Sequence, residues 1–315
     1  MRAVRLAWRL QRWELASLIA FVAAVVVALV GIGWRMEQIQ ASAPECFGDA
    51  HGPAGSDQGA CEASFMAYSA LQQIGPYAAV GATLAPFLLG VILGPPLVGR
   101  EIEGRTAAIA WTLSGSRWRW LALRAGPVAL LVLVAMVVLG LAGTTLAEQV
   151  AGGEPGFDPV VPPLPLEVAR GGLALAIGLL AGTLIGRTFP AVLAAALAIV
   201  VVMSATSIGI DAWMKTEARP VPQAFGMAGA SKIYETGLRD DGTGDVITLA
   251  QYYRTPGVDD AAELPPPGMT LVVWVIPAAE YPTWMWREAG MLASLAAAAA
   301  AMFVVATAGR SPGSP

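Results

Sequence analysis

A chain of 315 residues that is 56% hydrophobic and 13% charged, with a mean hydropathy of +0.61, lies outside the soluble globular range, where about a quarter of residues are charged. A water-soluble protein is thereby excluded, and an integral membrane protein is expected. The formal net charge of −4 says nothing about partners, because it sums two regions of opposite sign.

Six runs of about 20 apolar residues are long enough to cross a hydrocarbon core of roughly 30 Å as helices: 15–34, 78–98, 125–147, 164–186, 189–210 and 289–308. The fourth has the shortest uninterrupted apolar part, 171–186, with Glu167 and Arg170 at its start. Lys and Arg accumulate in short cytoplasmic loops. With the N-terminus inside, the inner segments 1–14, 99–124, 187–188 and 309–315 hold 11 basic and 3 acidic residues, and the outer ones hold 8 and 20. Both termini are therefore expected inside. The fold class read from this pattern is an all-α integral membrane protein with six transmembrane helices. An interfacial helix precedes them, and a large outer region separates spans five and six.

In chain order, residues 1–14 gather Arg2, Arg5, Arg9 and Arg12 on one side of a helical wheel, with Leu6, Leu10 and Trp13 opposite. That pattern fits a helix lying on the inner leaflet, or a basic flank of the first span. Segment 15–210 then carries five spans. The first outer loop, 35–77, holds the only cysteines, Cys46 and Cys61, in a compartment that permits a disulfide. They are expected to pair, closing a loop worth about 3 kcal/mol in the chain-entropy model. His51, the only histidine, reads as a solvated loop residue.

The second span contains Pro86, Pro95 and Pro96, each of which removes a backbone donor. Thr144 and Thr145 of the third span are expected to bond their own helix backbone. The fourth carries Ala174, Gly178, Gly182 and Gly186 at spacing four, a small-residue face for close helix packing, within the chain or across a dimer. Met203, Ser204, Thr206 and Ser207 form the only polar cluster of the fifth span. Region 211–288 is acidic, punctuated by proline and too long for a simple connector, so it is expected to fold partly on its own. Five of its aspartates, Asp240, Asp241, Asp245, Asp259 and Asp260, lack the alternating spacing of a calcium loop. They read as a solvated acidic region. Tyr281, Trp284 and Trp286 then suit an aromatic belt at the start of segment 289–315, the sixth span and a short inner tail.

Several chemistries are missing. None of the uninterrupted apolar runs contains an ionisable residue, which disfavours a proton- or sodium-driven carrier. No metal site is read from two cysteines and one histidine. The only lysines, Lys215 and Lys232, close no phosphate-binding glycine loop. The chain is therefore read as binding no cofactor and having no enzymatic site of its own, and any ATP must be bound by another chain.

The one sizeable inner surface is segment 99–124, GREIEGRTAAIAWTLSGSRWRWLALR. Read as a helix from Arg100, it places Ile102, Thr106, Ile109 and Leu113 on one stripe and Glu101 and Arg105 at i,i+4 on another face. Gly115 breaks it and Ser116 caps a second helix from Arg117. Glu101 and Glu103 point about 160° apart on an ideal helix.

Residues 95–124, PPLVGREIEGRTAAIAWTLSGSRWRWLALR, resemble the permease subunits of type 2 ABC exporters, particularly their actinobacterial branch. GTLIGRTFPA at 182–191, PAAEYPTWMWREAG at 277–290 and the cysteine loop match more weakly. Arg105 departs from the smaller or polar residue often found before the threonine, and the outer region is longer than in many relatives. The resemblance implies a bacterial cytoplasmic membrane protein, with the loop between spans two and three acting as a coupling helix. Arg100, Glu101, Glu103, Gly104, Thr106 and Trp111 would then lie at or beside a separate ATPase, present in two copies and carrying the ATP and Mg. Spans two and five would line a path, with Phe87, Met203, Ser204 and Ser207 as candidate lining. The implied partners are that ATPase, a second permease copy or paralogue and membrane lipid, with no nucleic acid. The implied function is export of an unidentified, amphiphilic substrate. The alternative is a non-transporting sensor or immunity protein with an extracytoplasmic ligand-binding region.

Overall fold

A long apolar run in a bilayer has no water to satisfy its backbone, so it closes its hydrogen bonds internally as a helix. The computed structural model describes residues 2–47, 58–104, 117–150, 157, 161–222, 232–255 and 264–309. Among them six helices are long and apolar enough to cross a membrane: Ala16–Ser42, Cys61–Glu103, Arg119–Ala147, Leu164–Ile185, Thr188–Glu217 and Ala278–Gly309. These match the six expected spans, and the protein is a mostly helical membrane protein.

The elements run α1 (Arg2–Ser42), α2 (Pro44–Phe47), α3 (Gln58–Glu103), α4 (Arg117–Val150), α5 (Leu164–Ile185), α6 (Thr188–Glu217), β1 (Arg219–Pro222), β2 (Lys232–Asp240), β3 (Val246–Thr248), α7 (Leu249–Tyr252), β4 (Met269–Ile276) and α8 (Tyr281–Gly309). Several helices exceed their predicted spans. The 41 residues of α1 rise about 62 Å, and residues 2–14, expected as a separate interfacial helix, run into the first span without a break. The 46-residue α3 contains Pro76, Pro86, Pro95 and Pro96, so the helix also takes in much of the predicted first loop. There Cys46 and Cys61 form the expected disulfide, with Cα atoms 5.4 Å apart. The ring of Phe47 lies 5.2 Å from that of Tyr68, and Gln40 donates to the Tyr68 hydroxyl at 3.2 Å.

The chain divides into two compact units. The first comprises Met1–Gly153, Val160–Ser204 and Trp286–Pro315. Its core is built from Leu29, Met36, Leu89, Leu97, Met136, Leu139 and Leu146, all 1% exposed or less. Lipid tails are as apolar as leucine, so van der Waals fit rather than water expulsion decides how such helices pack. The tightest contacts accordingly fall on glycines. A Cβ on Gly94 would lie 2.7 Å from the Cα of Gly178, and one on Gly182 would lie 2.5 Å from the carbonyl oxygen of Pro95. A Cβ on Gly90 would overlap Ala174. The small-residue face of the fourth span therefore meets the second span of the same chain. Gly186 does something else: at φ 67° it caps the C-terminus of α5, donating its N–H to the Gly182 carbonyl. A left-handed residue there has left the helical stripe. Thr144 and Thr145 bond the carbonyls of Leu141 and Ala142, as expected.

The second unit, Glu154–Pro159 and Ala205–Met285, contains a four-stranded antiparallel sheet in the order β1-β4-β2-β3. The sequence reading left these strands unassigned. Their signal is the run LVVWVI at 271–276, β-branched and apolar, which forms the central strand β4 with Val272, Val273, Val275 and Ile276 buried. Pro220 and Pro222 lie on the edge strand β1, where a missing N–H costs no ladder bond. In the turn after β2, the Asp240 carboxylate accepts from the N–H groups of Gly242 at 2.8 Å and Thr243 at 2.9 Å. Asp241 accepts from the Thr270 hydroxyl at 2.6 Å. Asp259 and Asp260 lie outside the described residues. Of the expected aromatic belt, Trp286 is exposed, whereas Trp284 is buried with its ring 5.2 Å from that of Trp213.

Two outcomes follow. Gly178→Ala forces a methyl into the α3 backbone and should cost about 1–3 kcal/mol, the usual range for overpacking. Gly172→Ala, where an added Cβ meets nothing within 4 Å, should not lower the denaturant midpoint in detergent and, in a helix interior, should raise it slightly. The Thr243 and Gly242 N–H groups hold the Asp240 carboxyl below its ordinary 3.8. Its contribution to the turn is thus present above pH 3.8 and lost as pH falls through the lower folded value. Amide exchange at residues 241–245 should accelerate across that acidic window in the parent chain and lose that dependence in Asp240→Asn.

Candidate functional site

The sequence singled out segment 99–124, and the structure describes its two flanks. Helix α3 runs to Glu103 and ends as Gly104 donates its N–H to the Arg100 carbonyl at 2.9 Å. Residues 100–103 are thus the last turn of the second span rather than the start of a separate helix. Helix α4 begins at Arg117, where the second helix was expected.

The first N–H groups of any helix lack intrahelical partners. Helix α5 stops at Ile185 and α6 starts at Thr188, after only two residues. The cap for α6 is the carboxylate of Glu103. It accepts from the Thr188 N–H at 3.0 Å and from the Thr188 hydroxyl at 2.9 Å. The negative charge also suits the positive end of the α6 dipole. Gly99, one turn back, lies close to the Thr188 backbone: a Cβ there would stand 3.6 Å from its Cα. The end of the second span is thereby tied to the start of the fifth.

Glu101 points elsewhere, as the 160° separation requires. Its carboxylate pairs with Arg124 of α4 at 2.7 Å. Arg124 also donates from Nε to the Leu97 carbonyl at 3.2 Å and lies 5.9 Å from the centroid of Trp120. The second span is thus held to the third by one carboxylate and to the fifth by the other.

Arg100 and Gly104 are exposed beside these two links, while Thr106 and Trp111 lie outside the described residues. The candidate path residues are not brought into one visible site. Phe87 is half-buried on α3, Met203 is half-buried on α6, and Ser204 and Ser207 are exposed. A cavity of about 440 Å³ lies instead among α4, α5 and α8, lined by residues including Val132, Met136, Leu175, Ala297 and Phe303. Sequence reasoning missed Arg124 and Thr188 as partners, although both flank runs it had marked. It also treated the apolar runs as free of charge. Glu167, set at the head of the fourth run, is fully buried inside α5.

Six apolar helices, with the second span tied to the third through Glu101 and to the fifth through Glu103, define a multi-pass membrane protein. The sequence profile of the family described as ABC-2 membrane transporter related matches residues 17–210, more than half of the chain, and the protein belongs to that family. No curated protein and no solved structure matches it significantly.

Removing the Glu103 cap should be felt at α6. In Glu103→Ala, amide exchange over residues 188–191 should rise several-fold, while Glu101→Ala leaves those amides at the parental rate. Exchange mass spectrometry on the detergent-solubilised chain reads both.

Proposed function

We propose that the chain is the membrane-spanning subunit of an ATP-binding-cassette exporter, driven by a separate ATPase present in two copies and carrying the ATP and Mg. A second permease copy or paralogue completes the path, in the lipid of a bacterial cytoplasmic membrane. The charge asymmetry supports placing both termini and segment 99–124 inside, with 211–288 outside. The actinobacterial affinity rests on the resemblance of residues 95–124.

The observation that carries this reading is the Glu103–Thr188 cap. An ATPase pushing on the inner segment would displace the end of α3, and the cap passes that displacement to the start of the fifth span. Glu101 passes the same displacement to the third span through Arg124. The two carboxylates are transmission points inside the permease, and the ATPase contact falls to Arg100, Gly104 and the segment that follows, including Thr106 and Trp111. The apolar walls of the spans favour an amphiphilic substrate moving outward.

Co-expression with candidate ATPases tests the reading. The parent chain should capture one ATPase and move a labelled amphiphile into inverted vesicles on ATP addition. Glu103→Ala should still capture the ATPase and hydrolyse ATP but lose most of the coupled uptake. Failure of any ATPase to co-purify would sink the proposal, and so would uptake at the parental rate in Glu103→Ala.

A further inference from the structure

Four polar or charged side chains are buried among the described residues: Glu167, Thr183, Thr206 and Thr307. Thr183 and Thr307 bond their own helix carbonyls, at 2.8 Å each. Glu167 is different. It is wholly buried, and neither carboxylate oxygen has a hydrogen-bond partner.

Its surroundings follow from the stripe it occupies. Leu164, Glu167 and Gly171 fall on one face of α5. Leu164 lies against Gly140, and Gly171 against Met136, both of α4. Continuing along that face, Ala174 and Gly178 meet Gly90 and Gly94 of α3. None of these neighbours is charged. The first N–H groups of the helix offer little, since those of Leu166 and Glu167 itself donate to the Pro163 carbonyl. The nearest charge in sequence is Arg170, three residues on, but its guanidinium reaches across to Glu288 of α8 at 3.1 Å. The Nε of Arg170 is itself buried and unpartnered. The side chain of Glu148, on α4, lies outside the described residues.

The group is therefore two acids and one base, with the base committed to the more exposed acid. An ionised carboxylate enclosed by apolar side chains, with no donor, is a costly arrangement unless it is neutralised. We propose that Glu167 is the acceptor of one exchangeable proton, and that Arg170 is shared between Glu167 and Glu288 according to whether that proton is bound. Uptake of a proton from the bulk solution forms one O–H bond on the carboxylate, and Arg170, no longer held by a charge there, pairs with Glu288 as seen. When it leaves, Arg170, at the i,i+3 spacing that lets helix side chains meet, turns to Glu167 and releases Glu288. The link between α5 and α8 then opens. The fourth and sixth spans thus carry a proton-operated latch, a role independent of ATP-driven transport by this chain.

Infrared spectroscopy of the purified full chain in phospholipid nanodiscs tests this without an ATPase or substrate. At neutral pH the parent chain should show the C=O stretch of a protonated, non-hydrogen-bonded carboxylic acid. Glu167→Gln, which mimics the acid in shape, should fold and lose that band. Glu288→Gln frees Arg170 to pair with Glu167 and should also abolish the band at neutral pH, while a folded chain is still recovered by size exclusion. Absence of the band in the parent chain, or its persistence in Glu167→Gln, overturns the proton site. An unchanged band in Glu288→Gln overturns the sharing of Arg170. None of these results depends on whether the chain exports anything.

Discussion

The contact on which the rest of the first unit depends is backbone against backbone, where α3 meets α5. Gly90 and Gly94 face Ala174 and Gly178, and Pro95 faces Gly182. In lipid no expulsion of water pulls helices together, so only close approach of small residues supplies enough dispersion contact to fix one register. That register sets what happens at the helix ends. Glu103 lies two turns beyond Pro95, and Thr188 follows Gly182 by six residues, across the Gly186 cap. With Pro95 seated on Gly182, the Glu103 carboxylate arrives at the head of α6. A slip of one turn, 5.4 Å along the axis, would separate them. The cap is thus a consequence of the glycine packing as much as of the two residues that form it.

This geometry bears on how a push at the inner segment could be divided. Glu101 and Glu103 leave α3 on nearly opposite sides, one held by Arg124 and the other by Thr188. A rigid displacement of the α3 end would draw on both, moving the third and fifth spans together. The Glu101–Arg124 pair is partly shielded and braced by a second Arg124 bond to Leu97. The Glu103 cap is exposed and rests on charge, dipole and two hydrogen bonds.

How much of this was legible in the sequence depended on range. The spans were, because a 20-residue apolar run is a local signal with one physical outcome in a bilayer. The small-residue face was legible as spacing, but spacing alone could not say whether α3 or another chain would cover it. Nor could it separate Gly178, which packs, from Gly186, which turns the chain at positive φ. Glu101 and Glu103 were singled out as functional, yet Thr188 lies 85 positions from Glu103, and no local pattern links them. The sheet was overlooked because a run of six apolar residues such as 271–276 is invisible to a scan for membrane-length segments, although its Val-rich content is a strand signal.

The most consequential omission concerned charge. Bounding each span by its uninterrupted apolar run made the membrane core seem free of ionisable groups, and that emptiness weighed against any ion-coupled mechanism. The helix is longer than the run, however, because α5 begins at Leu164 and takes in Glu167 and Arg170. One of these is the most deeply buried charged residue described, and the other reaches the sixth span. Charges at the margin of an apolar run are normally read as marking the water interface, yet a helix end enclosed by its neighbours is an interior site wherever the bilayer surface falls. Composition therefore does not weigh against ion coupling. An ATP-driven reading rests instead on family membership and on the carboxylate links at the ends of α3, which stand whether or not a proton is also moved.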